Sequence, residues 1–187
     1  QFARSLDVKL KQGNIMNAVN FKLLLPETRN GMHEIVASLI LKKLNFISPD
    51  TFEVQTIVNN VDTVMLFQEK PAKELLEKNL RREGPIFEGD ERLLWGYKNY
   101  YDFELEPLAL SRLINVNWFE KGDSSRVITT NSFAKLQHAY INYAYRNFNN
   151  KTNYALFPNK LKNNIFVNYH SLLFAMNGVH ALRPHNR

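Results

Sequence analysis

The run HALRPHNR brings His180, His185 and Asn186 together near the end of the sequence. The amide oxygen of Asn186 is a ligand of the kind that a hard cation such as Mg²⁺ takes, and that cation also wants carboxylate oxygens. None is available nearby: the 64 residues from Ser124 to Arg187 hold eight Lys or Arg and no Asp or Glu. A zinc site built from His170, His180 and His185 would offer imidazoles alone, and His-x4-His at a helix-to-loop junction is not a diagnostic spacing. The plainer role for these histidines is to cap or line a polar core beneath the last helix. There is no cysteine, which excludes disulfides, thiolate metal sites and thiol nucleophiles. GxSxG, HExxH and Gly-rich phosphate loops are also missing from the sequence.

A second group of candidates lies in the first half: Lys22, Glu34 and Glu69. Two strands, a helix with Glu34 near its start, then a hairpin closing on Glu69 is the order of a protein-kinase small lobe, where a strand lysine pairs with a helix glutamate. Lys22 is the strand lysine nearest Glu34, and Lys9 and Lys11 on the preceding strand are its rivals for contact with α and β phosphates. Each lysine also reads as a solvated strand-edge cation. Glu34 has a plain reading too, since an acid in the first turn of a helix is favoured by the macrodipole by roughly 0.3 to 1 kcal/mol.

The elements that would position these groups follow from periodicity. Leu6, Val8 and Leu10 alternate with Asp7, Lys9 and Lys11 over residues 4–12, a half-buried strand followed by a turn at Gly13 and Asn14. Residues 19–25 form a second strand that pairs back as a hairpin and ends at Pro26. From Thr28 to Asn45 the apolar positions Ile35, Val36, Leu39, Ile40 and Leu44 recur at spacings of three and four, which predicts an amphipathic helix capped by Asn30 or Thr28. Phe52, Val54 and Thr56 begin a second hairpin that turns at Asn59-Asn60 and runs to Phe67. Pro71 is expected at the first position of a short helix to about Leu80, and GPIFEGDE reads as irregular or extended. Helix is possible at 107–119, although Asn115 and Asn117 weaken it. The last part reads as helices over 131–148 and 160–177, with Gly178 as a stop. Strands lead and helices follow, the α+β order.

At 187 residues and 44% hydrophobic, the chain can bury one sizeable core. The net charge of +6 is uneven: residues 1–123 carry 16 basic and 18 acidic groups, and the remainder carries +8. Such a half either meets an anionic partner or lies against the acidic half. Nucleic acid is the weaker reading of it, because Tyr140, Tyr143, Tyr145, Phe148 and Tyr154 fall at helical spacings that suit a packed face. No apolar run approaches the roughly 20 residues that span a bilayer. With neither an initiator Met nor a signal-peptide pattern, the chain reads as an excised piece.

Several stretches carry a family likeness. FKLLLPETRNGMHEIVASLILKKLNF, TIVNNVDTVMLFQEK, LLEKNLRREGPIFEGDERLLW and the terminal HALRPHNR resemble, in this order, the CotH family, the spore-coat-protein-H kinase-like proteins. RREGPI and the HAL..HN ending are the specific parts. The hairpin turn NNVDTVM departs from the family's pattern, which favours glycines there. The resemblance implies an atypical protein-kinase-like fold that uses ATP and Mg²⁺ or Mn²⁺ to phosphorylate Ser or Thr of a secreted or envelope protein, in an extracytoplasmic setting. By the same resemblance Glu34 is the helix glutamate, Glu69 the acid ending the hairpin, Arg81, Arg82 and Glu83 the REGPI motif, and Asn186 the metal-binding amide beside His185. The family's metal-binding Asp is expected beyond Arg187.

The domain expected is a single, incomplete CotH-like one: a strand-rich small lobe over 1–90, a variable insertion over 91–130, and the start of a helical lobe over 131–187. The alternative is a non-catalytic extracellular or envelope binding protein that uses its basic C-terminal surface.

Overall fold

The computed structural model describes residues 4–29, 31–90, 110–146 and 160–178. It is a mixed α+β chain dividing into two compact units, 1–83 and 84–187. In the first unit, β1 (Leu6–Lys9), β2 (Asn20–Leu24), β3 (Thr51–Val58) and β4 (Val61–Glu69) form an antiparallel sheet in the order β1-β2-β4-β3. Helix α1 (Met32–Lys43) connects β2 to β3 and α2 (Lys73–Lys78) follows β4. The strand expected over 4–12 is shorter, and Lys11 lies beyond its end. The chain then closes a tight turn in which Ile15 and Ala18 exchange both backbone hydrogen bonds.

Register decides what each face of the sheet carries. Leu23 and Phe52 both stand opposite Phe67, and Phe21 stands opposite Glu69, so Leu23, Phe21, Phe52, Phe67 and Glu69 share one face. Phe67 stacks on Phe52 and tilts against Phe21, both at 4.7 Å between centroids, and Ala18 completes this core. Burying Phe67 contributes roughly 3 kcal/mol, several times an exposed ion pair, so the apolar layer and not surface charge holds this face. Asp7, Lys22, Gln68 and Thr51 form a row across the opposite face. The Asn59-Asn60 turn has both residues at positive φ (52° and 63°), which suits the twist of the β3–β4 hairpin.

Helix α1 overturns the expected burial pattern. Val36, Leu39 and Leu44 are 47%, 58% and 52% exposed, and Ser38 is its one buried residue. What faces the sheet and the following loop is a polar stripe at i, i+4 and i+8. Glu34 accepts from the Gln68 amide, the Ser38 hydroxyl donates to the Pro49 carbonyl, and Lys42 pairs with Asp50. The expected cap also differs, because the Thr28 hydroxyl donates to the Leu25 carbonyl within a 3-10 turn (Pro26–Arg29) and the N-cap is Gly31. Pro71 precedes α2, whose N-cap is Ala72, so it does not take the first helical position.

In the second unit the segment expected as irregular or extended forms β5 (Phe87–Asp90), paired antiparallel with β6 (Leu110–Leu113). Strand β6 and the short α3 (Val116–Phe119) stand in the described part, 110–119, of the helix considered over 107–119, whose first three positions lie outside the described residues. Asn115 explains the break: its amide donates to the Gly84 carbonyl and its oxygen accepts from the Ile86 N–H, both at 2.7 Å. A side chain committed to that backbone cannot also serve a helix interior.

Helix α4 (Asp123–Arg146) begins eight residues before the expected start at 131. Its polar first turns hid it, and there the buried Thr129 hydroxyl donates to the Ser125 carbonyl at 2.7 Å. Helix α5 (Lys160–Ala175) ends as expected near Gly178, whose N–H closes on the Leu173 carbonyl. Among the described residues no helix is long and apolar enough to cross a membrane.

Candidate functional site

Lys22 sits on β2, half-buried, with Asp7 directly opposite on one side and Gln68 on the other. Side chains at such positions lie about 4.5 to 5.5 Å apart at Cβ, close enough to touch. Each acid near Lys22 is nevertheless engaged elsewhere. Asp7 pairs with Lys70 at 2.7 Å. Glu34 accepts from Gln68 Nε2 at 3.3 Å through Oε2, and its Oε1 lies 3.8 Å from Arg29 Nη1. Among the described residues Lys22 has no ion-pair partner. Among the described residues Lys22 and Glu34 make no direct ion pair; Gln68, which donates to Glu34, is Lys22's neighbour in the ladder. Of the rival lysines, Lys9 is the exposed last residue of β1 opposite Asn20, and Lys11 is off the strand.

Glu69 ends β4 at 2% exposure and belongs to a charged cluster below the sheet's end. Lys78 of α2 reaches Asp50 Oδ2 at 2.6 Å and Glu69 Oε1 at 3.2 Å, while Lys42 of α1 pairs with the other Asp50 oxygen. The Asp50 N–H donates to Glu69 Oε2 at 3.3 Å, and the Glu69 N–H to the Asp50 carbonyl at 2.9 Å. Burial would raise the Asp50 carboxyl's pKa, but the hydrogen bonds from Lys42 and Lys78 outweigh it and hold it below its ordinary value. Burial likewise lowers Lys78, and its bonds to Asp50 and Glu69 raise it further than burial lowers it. This cluster ties two helices to the sheet end; with two lysines already in place it does not suit a cation.

Arg81 and Arg82 are exposed and make no ion pair among the described residues, and Glu83 is half-buried. The Gly84-Pro85-Ile86 part of the same motif is held by Asn115. His180, His185 and Asn186 lie outside the described residues. His170 lies on α5 with its Nδ1 2.9 Å from the Phe166 carbonyl. Among the described residues there is no group of three or more His, Asp or Glu that could hold a metal ion.

Sequence reasoning missed Arg29, Gln68, Asp50, Lys78 and Asn115. The repeat of Glu34, Ser38 and Lys42 at one helical edge was the available signal for the polar docking. For Asn115 the signal was an asparagine in an otherwise helical stretch. What the arrangement offers chemically is a lysine, half-buried as a residue and without a counter-ion among the described residues, and a guanidinium nearby in sequence, both suited to an anion. Compared with known protein families, curated proteins and solved structures, the chain matches none.

Proposed function

We propose that the chain is an atypical, kinase-like phosphotransferase domain of the CotH type, which binds ATP with Mg²⁺ or Mn²⁺ and phosphorylates Ser or Thr of a secreted or envelope protein. One observation carries this reading: Lys22 is half-buried and the acids flanking it are bound to other groups. An ammonium whose neighbouring acids are engaged elsewhere gains from an anionic ligand. Phosphoryl transfer depends mostly on positioning and on neutralising charge over phosphate oxygens, and a strand lysine ordered by a helix glutamate is the kinase form of that device. Support also comes from the chain order of strand lysine, helix glutamate and closing hairpin, and from the RREGPI and HAL..HN likeness. In this reading Asn186 offers its amide oxygen to the metal. Among the described residues no group of three or more His, Asp or Glu could hold that ion.

The test is calorimetric titration of ATP with Mg²⁺ into the whole chain, wild type against Lys22→Ala and Glu34→Ala. Lys22→Ala is expected to weaken binding by about tenfold or more, the worth of one charge-assisted contact. Unchanged affinity in both variants ends the assignment.

The second reading, a non-catalytic envelope protein with a basic binding surface, is favoured by the acid-free stretch after Asp123 and by Val127, Ile128, Ile165, Val167 and Phe174, which stand exposed on α4 and α5. It requires a wild type that ignores ATP yet binds an acidic polypeptide less tightly as salt is added.

A further inference from the structure

Both oxygens of Glu34 are in use, one toward Arg29 Nη1 at 3.8 Å and one accepting from Gln68 Nε2 at 3.3 Å. Gln68 stands directly opposite Lys22 in the β2–β4 ladder. Arg29, Glu34 and Gln68 are thus linked side chain to side chain, and Lys22 neighbours Gln68 in the ladder on the same face of the sheet. The Arg29 side chain is 43% exposed, and Glu34 is its one charged partner among the described residues. A guanidinium has five N–H donors, so a single contact at ion-pair distance leaves most of its fork open. Lys22 has no charged partner among the described residues. Two cations flanking this acid and amide suit an anion with more than one charged centre better than a lone phosphate.

We propose that Arg29 is a second phosphate-contacting cation of this site, one that selects nucleoside di- and triphosphates over monophosphates. Glu34 and Gln68 are positioning residues that hold Arg29 and Lys22 at a fixed separation. The proposal rests on the nucleotide reading above and deepens it.

The test titrates ATP, ADP and AMP, with Mg²⁺ present, into the whole chain as wild type, Arg29→Ala, Arg29→Lys and Lys22→Ala, with thermal unfolding of each variant as a check on folding. Arg29→Ala is expected to weaken ATP and ADP by about tenfold while changing AMP by less than about twofold, and Arg29→Lys to recover part of the loss. If Arg29→Ala does not fold, Arg29→Gln carries the same comparison. A parallel loss for all three nucleotides would mean that Arg29 only braces Glu34, and would overturn the proposal. Unchanged ATP and ADP affinity would overturn it as well and leave the nucleotide reading standing. A wild type that binds none of the three removes the nucleotide reading, and this proposal with it.

Discussion

Lys78 serves two carboxylates at once, and they differ in what they have to fall back on. Glu69 is 2% exposed with Lys78 as its cation, whereas Asp50 also has Lys42. Lys78→Ala should therefore lower stability by about 3 kcal/mol, because it leaves a buried charge uncompensated. Lys42→Ala should cost about 1 kcal/mol. Urea unfolding at neutral pH compares them, and equal losses would show that Glu69 does not depend on Lys78. The pH dependence has a definite sign. Asp50 is held below its ordinary value of 3.8, so its contribution is complete above that pH and disappears as pH falls through the lower folded value. Lys78 is held above 10.5, so its contribution is complete below that pH and disappears as pH rises through the higher folded value. The same unfolding series run into acid should show a shallower acid limb for Lys78→Ala than for wild type. At this scale the sequence showed residue types but not partners. Lys22 and Glu34 are legible as candidates, while the amide that reaches Glu34 stands beside Lys22 only through a register between strands far apart in the chain.

Helix α1 teaches the same lesson for elements. Its apolar spacing correctly predicts a helix, yet the stripe that gave the signal is largely in water, and the side that docks carries Glu34, Ser38 and Lys42. Periodicity reports that a helix has two faces, not which face the sheet takes. Ser38→Ala is accordingly expected to cost about 1 to 2 kcal/mol, since it strands the Pro49 carbonyl and the buried Ser48 hydroxyl that donates to Ser38. Leu39→Ala should stay within about 0.5 kcal/mol. Thermal unfolding of the two variants decides, and the reverse ranking would mean that the apolar stripe is the docking face. The hairpins were legible because strand alternation and the Asn59-Asn60 turn agree with each other. The β5–β6 pair was not, because its partner strands are separated by a long stretch of sequence and Asn115 acts on backbone two elements away.

On the scale of the molecule, all four strands of the larger sheet, α1, α2, the phenylalanine core and the Asp50 cluster lie within residues 1–83. That unit holds everything its own core requires. Residues 1–83 alone should fold, with a cooperative thermal transition and the circular-dichroism signature of mixed strand and helix; a featureless melt would show that the unit borrows stability from the rest of the chain. The α+β class was legible from the change of period along the chain, whereas the boundary at Glu83 and Gly84 was not, because it falls inside the RREGPI run. The ends of the helices show one last difference. Helices α1, α2 and α5 all close on a residue in the left-handed region: Asn45 at φ 60°, Leu80 at 54° and Asn177 at 56°. Asparagine accepts that geometry, but leucine resists it by roughly 1 kcal/mol, and at 94% exposure Leu80 recovers nothing through packing. The chain therefore keeps an unspent margin of stability just ahead of the seam between its units, which a single drift to glycine would release without disturbing any neighbour.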